Sequence, residues 1–242
     1  MKAIVLCAGM GTRLGSLTQA TPKPLLPLDG RPLLEYIIRH LARQGFREIG
    51  INLHFHPEMI QACLGDGSRW GVAIEYSFES ELLGTAGALR RFEPFLRGSE
   101  RFLVQYGDIL TNQDFNILWE AHQRQDAAAT LLLHERRNSN SVVALEPDGR
   151  ITGFWERPDE ATRRELTSNW VNSGVCVLGA DVLRQIPADG PSDLPRDVFT
   201  KMVGTGRLFG VPLTGYRCAI DSAERYEQAR AAVGEGLFSD GS

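Results

Sequence analysis

Two cations of different kinds follow a glycine-bearing turn near the start of the chain. Arg13 comes just after Gly9 and Gly11, and Lys23 stands ten residues further on, between Pro22 and Pro24. Glycine has no Cβ, so backbone N–H groups at such a turn can close on phosphate oxygens. A guanidinium fork and an ammonium point charge then grip phosphate in two different ways. The stretch LCAGMGTRLGSLTQATPKPLLPLDGRPLL, residues 6–34, reads as a cradle for a polyphosphate. Prolines at 22, 24 and 27 are expected to hold the Lys23 backbone extended, since each fixes its own φ and disfavours helix before it. A dinucleotide-binding fingerprint is excluded because the next glycine after Gly11 is Gly15, at the wrong spacing. A short glycine motif by itself matches many ordinary strand-to-helix turns. The downstream lysine is what favours phosphate.

Asp108 supplies chemistry of the opposite sign. It follows the strand-like run FLVQY across one glycine, which puts it at a carboxyl edge, where open α/β sheets bind their ligands. A hard cation such as Mg²⁺ takes few carboxylates and completes its shell with phosphate oxygens; the plain alternative is an aspartate capping a turn. His54 and His56 flank Phe55 and are expected to serve a loop and a helix start rather than a metal. The four tryptophans are scattered, which suits packing anchors and offers no stacking platform for nucleic acid.

The elements that must position these residues alternate through the first half. Strands are expected at 2–6, 47–52, 72–77 and 102–106, with helices at 32–44, 56–64 and 84–96 between them. Leu33, Leu34, Ile37, Ile38 and Leu41 recur at helical spacing and Gly45 stands as a stop. After Asp108 the character changes. A helix at 114–124 is followed by strand-like text at 128–134, 142–146, 151–155 and 170–178, with Asp148-Gly149 as a hairpin signal. Short helices near 195–203 and 222–233 close the chain, and 235–242 reads as a flexible tail. The pattern predicts an α/β fold: a doubly wound, Rossmann-like, mostly parallel mixed sheet with helices on both faces and a small antiparallel substrate lobe. We expect one domain over 1–234 in two halves, 1–110 and 111–234.

Composition narrows the class. The 242 residues can bury a sizeable core, and a formal net charge of −4 argues against generic attraction to nucleic acid, so any basic site is local. The four cysteines are far apart with no C-x-x-C, and the start of the chain lacks the charged-then-apolar pattern of a leader. No apolar run approaches the ~18 residues of a membrane span. A reduced, cytoplasmic enzyme is the expectation; a homo-oligomer is compatible with the sequence.

Taken together, the motifs resemble the sugar-1-phosphate nucleotidyltransferases, within which the LLGTAGAL segment and the short length look most like the mannose-1-phosphate and manno-heptose-1-phosphate guanylyltransferases, and also resemble the muramate-phosphate uridylyltransferases. The resemblance rests on LCAGMGTRL, PKPLLPL, LLGTAGAL, YGD, FWERP, WVNSGVCVL and DSAERY, in the family's order over about nine-tenths of the chain. It implies the nucleotide-diphospho-sugar transferase fold, a nucleotide-binding half at 1–110 and a sugar-phosphate-binding half at 111–234, and transfer of a nucleotidyl group from an NTP to a sugar 1-phosphate, with pyrophosphate released and Mg²⁺ as cofactor. Longer relatives carry a C-terminal β-helix; this chain ends before one begins, so no acyltransferase activity is expected.

Residue by residue, the resemblance implies that Ala8, Gly9, Gly11 and Thr12 meet the nucleotide, with Arg13 on the β and γ phosphates and Lys23 on the α-phosphate. Asp108 holds the metal, although Tyr106 stands where Asn or Leu is commoner. An ungapped match puts Ala219 at the second metal position and Asp221 two residues later, so Asp221 is either that ligand or the cap of the last helix. Glu156 and Asn172 contact sugar hydroxyls, and Arg157, in place of the family's lysine, the sugar phosphate. Gly84 and Thr85, with Glu79 and Glu81 upstream, hold the base. A carboxylate accepts both adjacent N–H donors of guanine, so the acidic SFESELLG favours GTP, although glutamate also decorates helix starts. The alternatives are a uridylyl- or thymidylyltransferase on another sugar 1-phosphate, a cytidylyltransferase on a non-sugar phosphate, and a catalytically silent nucleotide-sugar-binding regulatory subunit.

Overall fold

The computed structural model describes residues 1–137 and 139–238. The fold is α/β, a mixed and mostly parallel sheet with helices, together with a small antiparallel sheet. The chain divides into two compact units. Unit 1 comprises Met1–Leu82, Gln105–Asp114 and Thr214–Ser242, and unit 2 comprises Leu83–Val104 and Phe115–Leu213. The units interleave along the chain, whereas the halves anticipated at 1–110 and 111–234 are consecutive.

In unit 1, strand Lys2–Leu6 pairs in parallel with Glu48–Leu53, which pairs in parallel with Ala73–Phe78. Ala3, Ile4 and Val5 are wholly buried, as a parallel strand covered on both faces requires. Helix Leu33–Arg43 buries Leu33, Leu34, Ile37, Ile38 and Leu41, each contributing about 1.5–3 kcal/mol to the fold, and Gly45 at φ 85° stops the chain just beyond it. A short antiparallel pair joins Ile109–Thr111 to Arg217–Ala219. Helix Ala223–Gly234 starts at Ser222, whose Oγ accepts the Arg225 N–H at 3.2 Å. The expected tail is partly docked: Phe238 is buried, edge-on to Tyr36 and Tyr216, because an aromatic ring at that position finds an apolar slot. Residues 239–242 lie outside the described residues.

In unit 2, the long strand Trp170–Gly179 pairs antiparallel with Ala129–Glu135, and Ser141–Leu145 with Ile151–Glu156. The turn between the latter two is the one the Asp-Gly signal indicates, with Asp148 Oδ1 accepting the Arg150 N–H at 2.9 Å and Gly149 at φ 86°. Strand Leu208–Pro212, parallel to Ala129–Glu135, is absent from the sequence reading because Gly210 and Pro212 weaken its strand pattern. The helix expected over 84–96 is two helices, Gly84–Arg91 and Glu93–Leu96. Pro94 has no N–H and would clash with the carbonyl four residues back, so the helix stops at Phe92 and restarts with proline in its first turn. Helix Glu160–Glu165, with Asp159 Oδ1 accepting the Thr162 N–H at 2.8 Å, lacks the apolar stripe that would have announced it.

Candidate active site

The glycine turn leaves strand Lys2–Leu6 through the buried Cys7 and Ala8 and enters 3-10 turns over Thr12–Thr18. Gly11 sits at φ 67°, in the left-handed region. A Cβ there would come within 3.2 Å of both Lys23 Cβ and Thr18 Cγ2, so the turn packs directly on the stem of Lys23. Thr18 Oγ1 donates to Gly11 O at 2.9 Å and fastens the turn from its far end. Gly9 differs: a Cβ there would have nothing within 4 Å, so packing does not demand a glycine.

Lys23 opens a 3-10 turn, Lys23–Leu25, closed by Leu25 N–H to Pro22 O at 2.8 Å and Leu26 N–H to Lys23 O at 3.2 Å. This corrects the expectation of extended backbone. Pro24 is tolerated because the first turn of a helix needs no donor there. The side chain is 9% exposed, and its Nζ lies 2.5 Å from Asp108 Oδ2. Burial of so much of a lysine requires such a partner.

Asp108 reaches that position through a close backbone approach. The Gly107 N–H donates to Leu6 O at 2.8 Å, and a Cβ on Gly107 would lie 2.5 Å from Cys7 Sγ. Asp108 O in turn accepts the Ile220 N–H at 2.9 Å, continuing the antiparallel pair and bringing the following residue, Asp221, to the same edge. Asp221 does not cap the last helix, since Ser222 does. Its carboxylate is 3.9 Å from Arg13 Nη1, and Arg13 is 68% exposed. Ala219, at the ungapped metal position, is buried and has no ligating side-chain atom. Unit 1 therefore gathers Arg13, Lys23, Asp108 and Asp221 around the glycine turn. Burial, reinforced by the Asp108 charge, pushes the Cys7 thiol well up, so it is no nucleophile.

Two partly exposed carboxylates suit a hard divalent cation. Among the described residues no group of three or more His, Cys, Asp or Glu could hold a metal. Asp108 and Asp221 therefore fit Mg²⁺ only as a pair whose shell is finished by phosphate and water, as magnesium generally prefers. His54 Nδ1 bonds Glu79 O at 2.8 Å, and His56 stands at the N-cap position of helix Pro57–Leu64 at φ 46° with its Nδ1 3.2 Å from Glu58 Oε1, so they serve a loop and a helix start.

Glu79 is buried, and its Oε1 accepts the Asn52 amide at 2.8 Å, while Glu81 is exposed. Asn52 went unremarked in the sequence, although a polar asparagine among the apolar residues of the strand EIGINL was a signal.

In unit 2, Gly84 and Thr85 are clamped to segment 192–194. Ala86 and Gly87 N–H groups donate to Ser192 O, and the Leu194 N–H donates to Thr85 Oγ1 at 2.8 Å. A Cβ on Gly84, at φ 72°, would lie 2.5 Å from Ser192 O. Glu156 is partly buried, which raises its pKa, while Arg157 and Arg196 nearby oppose that and Asp193 adds to it. Arg157 sits at φ 50° with Nε 3.6 Å from Glu156 Oε1 and is 79% exposed. Asn172 Oδ1 accepts the Gly174 N–H at 3.1 Å, beside a bulge in the long strand. Arg196 is a second guanidinium near Glu156 that the motifs did not announce, and it is bound to Asp193 and Asp197.

Among the described residues no helix is long and apolar enough to cross a membrane. Residues 2–212 match the nucleotidyl transferase family. A UTP–glucose-1-phosphate uridylyltransferase of Synechocystis sp. is 33% identical over 86% of this chain and 57% of its own length. A mannose-1-phosphate guanyltransferase of Aspergillus fumigatus is 32% identical over 89% of this chain and 59% of its own. The chain thus spans less than two thirds of these curated relatives. A solved structure of a putative glucose-1-phosphate thymidylyltransferase from Bacillus anthracis superposes with a TM-score of 0.85 at 25% identity, covering 96% of this chain and 94% of that one.

Proposed function

From the premise that the chain belongs to the nucleotidyl transferase family, we propose that it couples a sugar 1-phosphate to a nucleoside triphosphate and releases pyrophosphate. An oxygen of the sugar phosphate attacks the α-phosphorus in line; the bond from that phosphorus to the β-phosphate bridging oxygen breaks, and pyrophosphate leaves. A phosphate monoester is nucleophilic near neutral pH, so no general base is required. The barrier is charge: two polyanions must approach each other, and preorganised cations lower its cost.

The observation that carries this reading is the Lys23–Asp108 pair at 2.5 Å, packed against the glycine turn that bears Arg13. In the proposed assignment, Ala8, Gly9, Gly11 and Thr12 line the triphosphate, Arg13 binds the leaving pyrophosphate, and Lys23 meets charge gathering on the α-phosphate. Asp108 and Asp221 would hold Mg²⁺, which when bound supplies neutralising charge to the phosphates. Glu156 and Asn172 bind sugar hydroxyls, and Arg157 grips the incoming phosphate. Gly84 and Thr85 shape the base segment.

GTP with mannose or manno-heptose 1-phosphate is the first substrate pair proposed. Its support is the acidic base segment, in which Glu81 is the exposed carboxylate, since guanine offers adjacent donors to such a group. Similarity does not decide the base, because a uridylyltransferase and a guanyltransferase match almost equally, at 33% and 32% identity. The test is pyrophosphate release over a grid of five NTPs against hexose and heptose 1-phosphates. Turnover confined to GTP with manno-configured sugars is the expected result; preference for UTP or dTTP overturns the base, and no turnover with any pair overturns the reaction.

A further inference from the structure

The glycine turn leaves the sheet through a single peptide unit, the one joining Leu6 to Cys7, and both of its polar atoms are held. Its carbonyl, Leu6 O, accepts the Gly107 N–H at 2.8 Å. Its N–H, on Cys7, donates to Asn52 Oδ1 at 2.7 Å. The Asn52 amide is then fixed from behind, because its Nδ2 donates to Glu79 Oε1 at 2.8 Å. Asn52 and Glu79 are each 3% exposed, so neither side chain can exchange these partners for bulk water. A peptide plane gripped at both ends cannot rotate, and the direction of every amide after it follows from its setting.

We infer that Asn52 is a positioning residue for nucleotide binding: through the Cys7 amide it aims the phosphate turn, and through Glu79 it ties that turn to the segment preceding Gly84. Three elements meet at this one peptide. Gly107 precedes Asp108, Asn52 is the next-to-last residue of the strand Glu48–Leu53, and Glu79 follows the strand Ala73–Phe78, where its N–H also donates to Leu53 O at 2.8 Å. Because the Cys7 N–H is spent on Asn52, the amides left for phosphate begin at Ala8. Glu79 acts behind the nucleotide and sets the donor–acceptor sense of the relay. Asn52 must present its oxygen to Cys7 because its nitrogen faces a carboxylate. The inference rests on the reading of the turn as a triphosphate site.

The test compares Asn52→Ala, Asn52→Asp and the double variant Asn52→Asp with Glu79→Gln against the wild-type chain. Pyrophosphate release is followed as a function of NTP and of sugar 1-phosphate, and binding of GTP and UTP with Mg²⁺ is measured by calorimetry. Asn52→Ala should raise the KM for NTP at least tenfold and leave the KM for sugar 1-phosphate within twofold. Asn52→Asp alone sets two carboxylates side by side and should bind NTP no better than Asn52→Ala. The double variant restores both hydrogen bonds with donor and acceptor exchanged between positions 52 and 79, and should recover at least fivefold in NTP affinity. Equal rises in both KM values, or a double variant no better than Asn52→Asp, overturn the inference. A wild-type chain that binds NTP yet releases no pyrophosphate overturns the proposed reaction instead, and the binding series then still decides the role of Asn52.

Discussion

The glycine-turn region of unit 1 and the Glu156–Arg157 region of unit 2 hold their charges in opposite ways. In unit 1 the ammonium of Lys23 is nearly buried, locked 2.5 Å from Asp108, and its stem packs on a glycine turn that Thr18, Gly107 and Asn52 hold in place. In unit 2 Arg157 is 79% exposed and only 3.6 Å from its neighbour Glu156. Charge held in a low-dielectric setting acts strongly and tolerates little displacement, whereas a solvated guanidinium acts weakly and can shift. Under the proposed assignment, the held charges of unit 1 would serve the phosphoryl chemistry and the exposed Arg157 of unit 2 would serve sugar-phosphate recognition.

The strongest way to break that comparison is at its buried cation. Lys23→Ala should lower turnover by about 10²–10³-fold, the usual cost of one preorganised charge at a developing oxyanion, while circular dichroism shows the fold retained. Near-normal turnover in folded protein would remove Lys23 from the chemistry and equalise the two regions. Next, Asp221→Ala should shift the Mg²⁺ dependence of turnover to about tenfold higher concentration; an unchanged titration leaves Asp221 as no more than the loose partner of Arg13 at 3.9 Å. In unit 2, Arg157→Ala should raise the KM for sugar 1-phosphate about tenfold with the KM for NTP unmoved, and Arg157→Lys should recover part of it. A loss as large as that of Lys23→Ala would contradict the assignment.

The two glycines of the turn sharpen the comparison within unit 1. Gly11→Ala, at φ 67° and 3.2 Å from Lys23 Cβ, should cost about 1–2 kcal/mol in urea denaturation. Gly9→Ala should leave stability within about 0.5 kcal/mol and raise the KM for NTP, because its added methyl meets nothing in the protein. The smallest effect belongs to unit 2, away from the proposed chemistry. Burial, helped by Arg101 and Arg207 against Asp181 and Asp126, pushes the pKa of His122 from 6.5 down to about 4. The unfolded chain takes up that proton as pH falls below 6.5 and the folded chain does not until about 4, so this contribution is complete above 6.5 and fades between the two values. Tm measured at pH 5 and pH 7.5 should differ less in His122→Gln than in wild type.

Much of this was legible in the sequence because the relevant patterns are local. The 3.6-residue recurrence in helix Leu33–Arg43, the apolar run at Lys2–Leu6 and the Asp-Gly turn each announce one element without reference to the rest. The positions of Arg13, Lys23 and Asp108 were readable as motifs, but that Lys23 and Asp108 touch was not, since 85 residues separate them. The relay through Asn52 and Glu79 was hidden for the same reason: its members lie 45 and 27 residues apart, and a hydrogen bond leaves no periodic trace. Proline effects were read correctly as punctuation and incorrectly as shape, because Pro24 is accommodated by the 3-10 turn it was expected to exclude.

The antiparallel pairing of Ile109–Thr111 with Arg217–Ala219 has a consequence for how the chain is made. A ribosome releases the Asp108 strand long before its partner, so the backbone groups of Ile109–Thr111 wait, unpaired, through the synthesis of the whole intervening segment 112–216. Unit 2, by contrast, has all its pieces in hand once Leu213 emerges. The stretch from Thr214 onward, translated after unit 2, thus completes unit 1, and a nascent chain stalled short of residue 217 would carry a finished unit 2 with unit 1 still open.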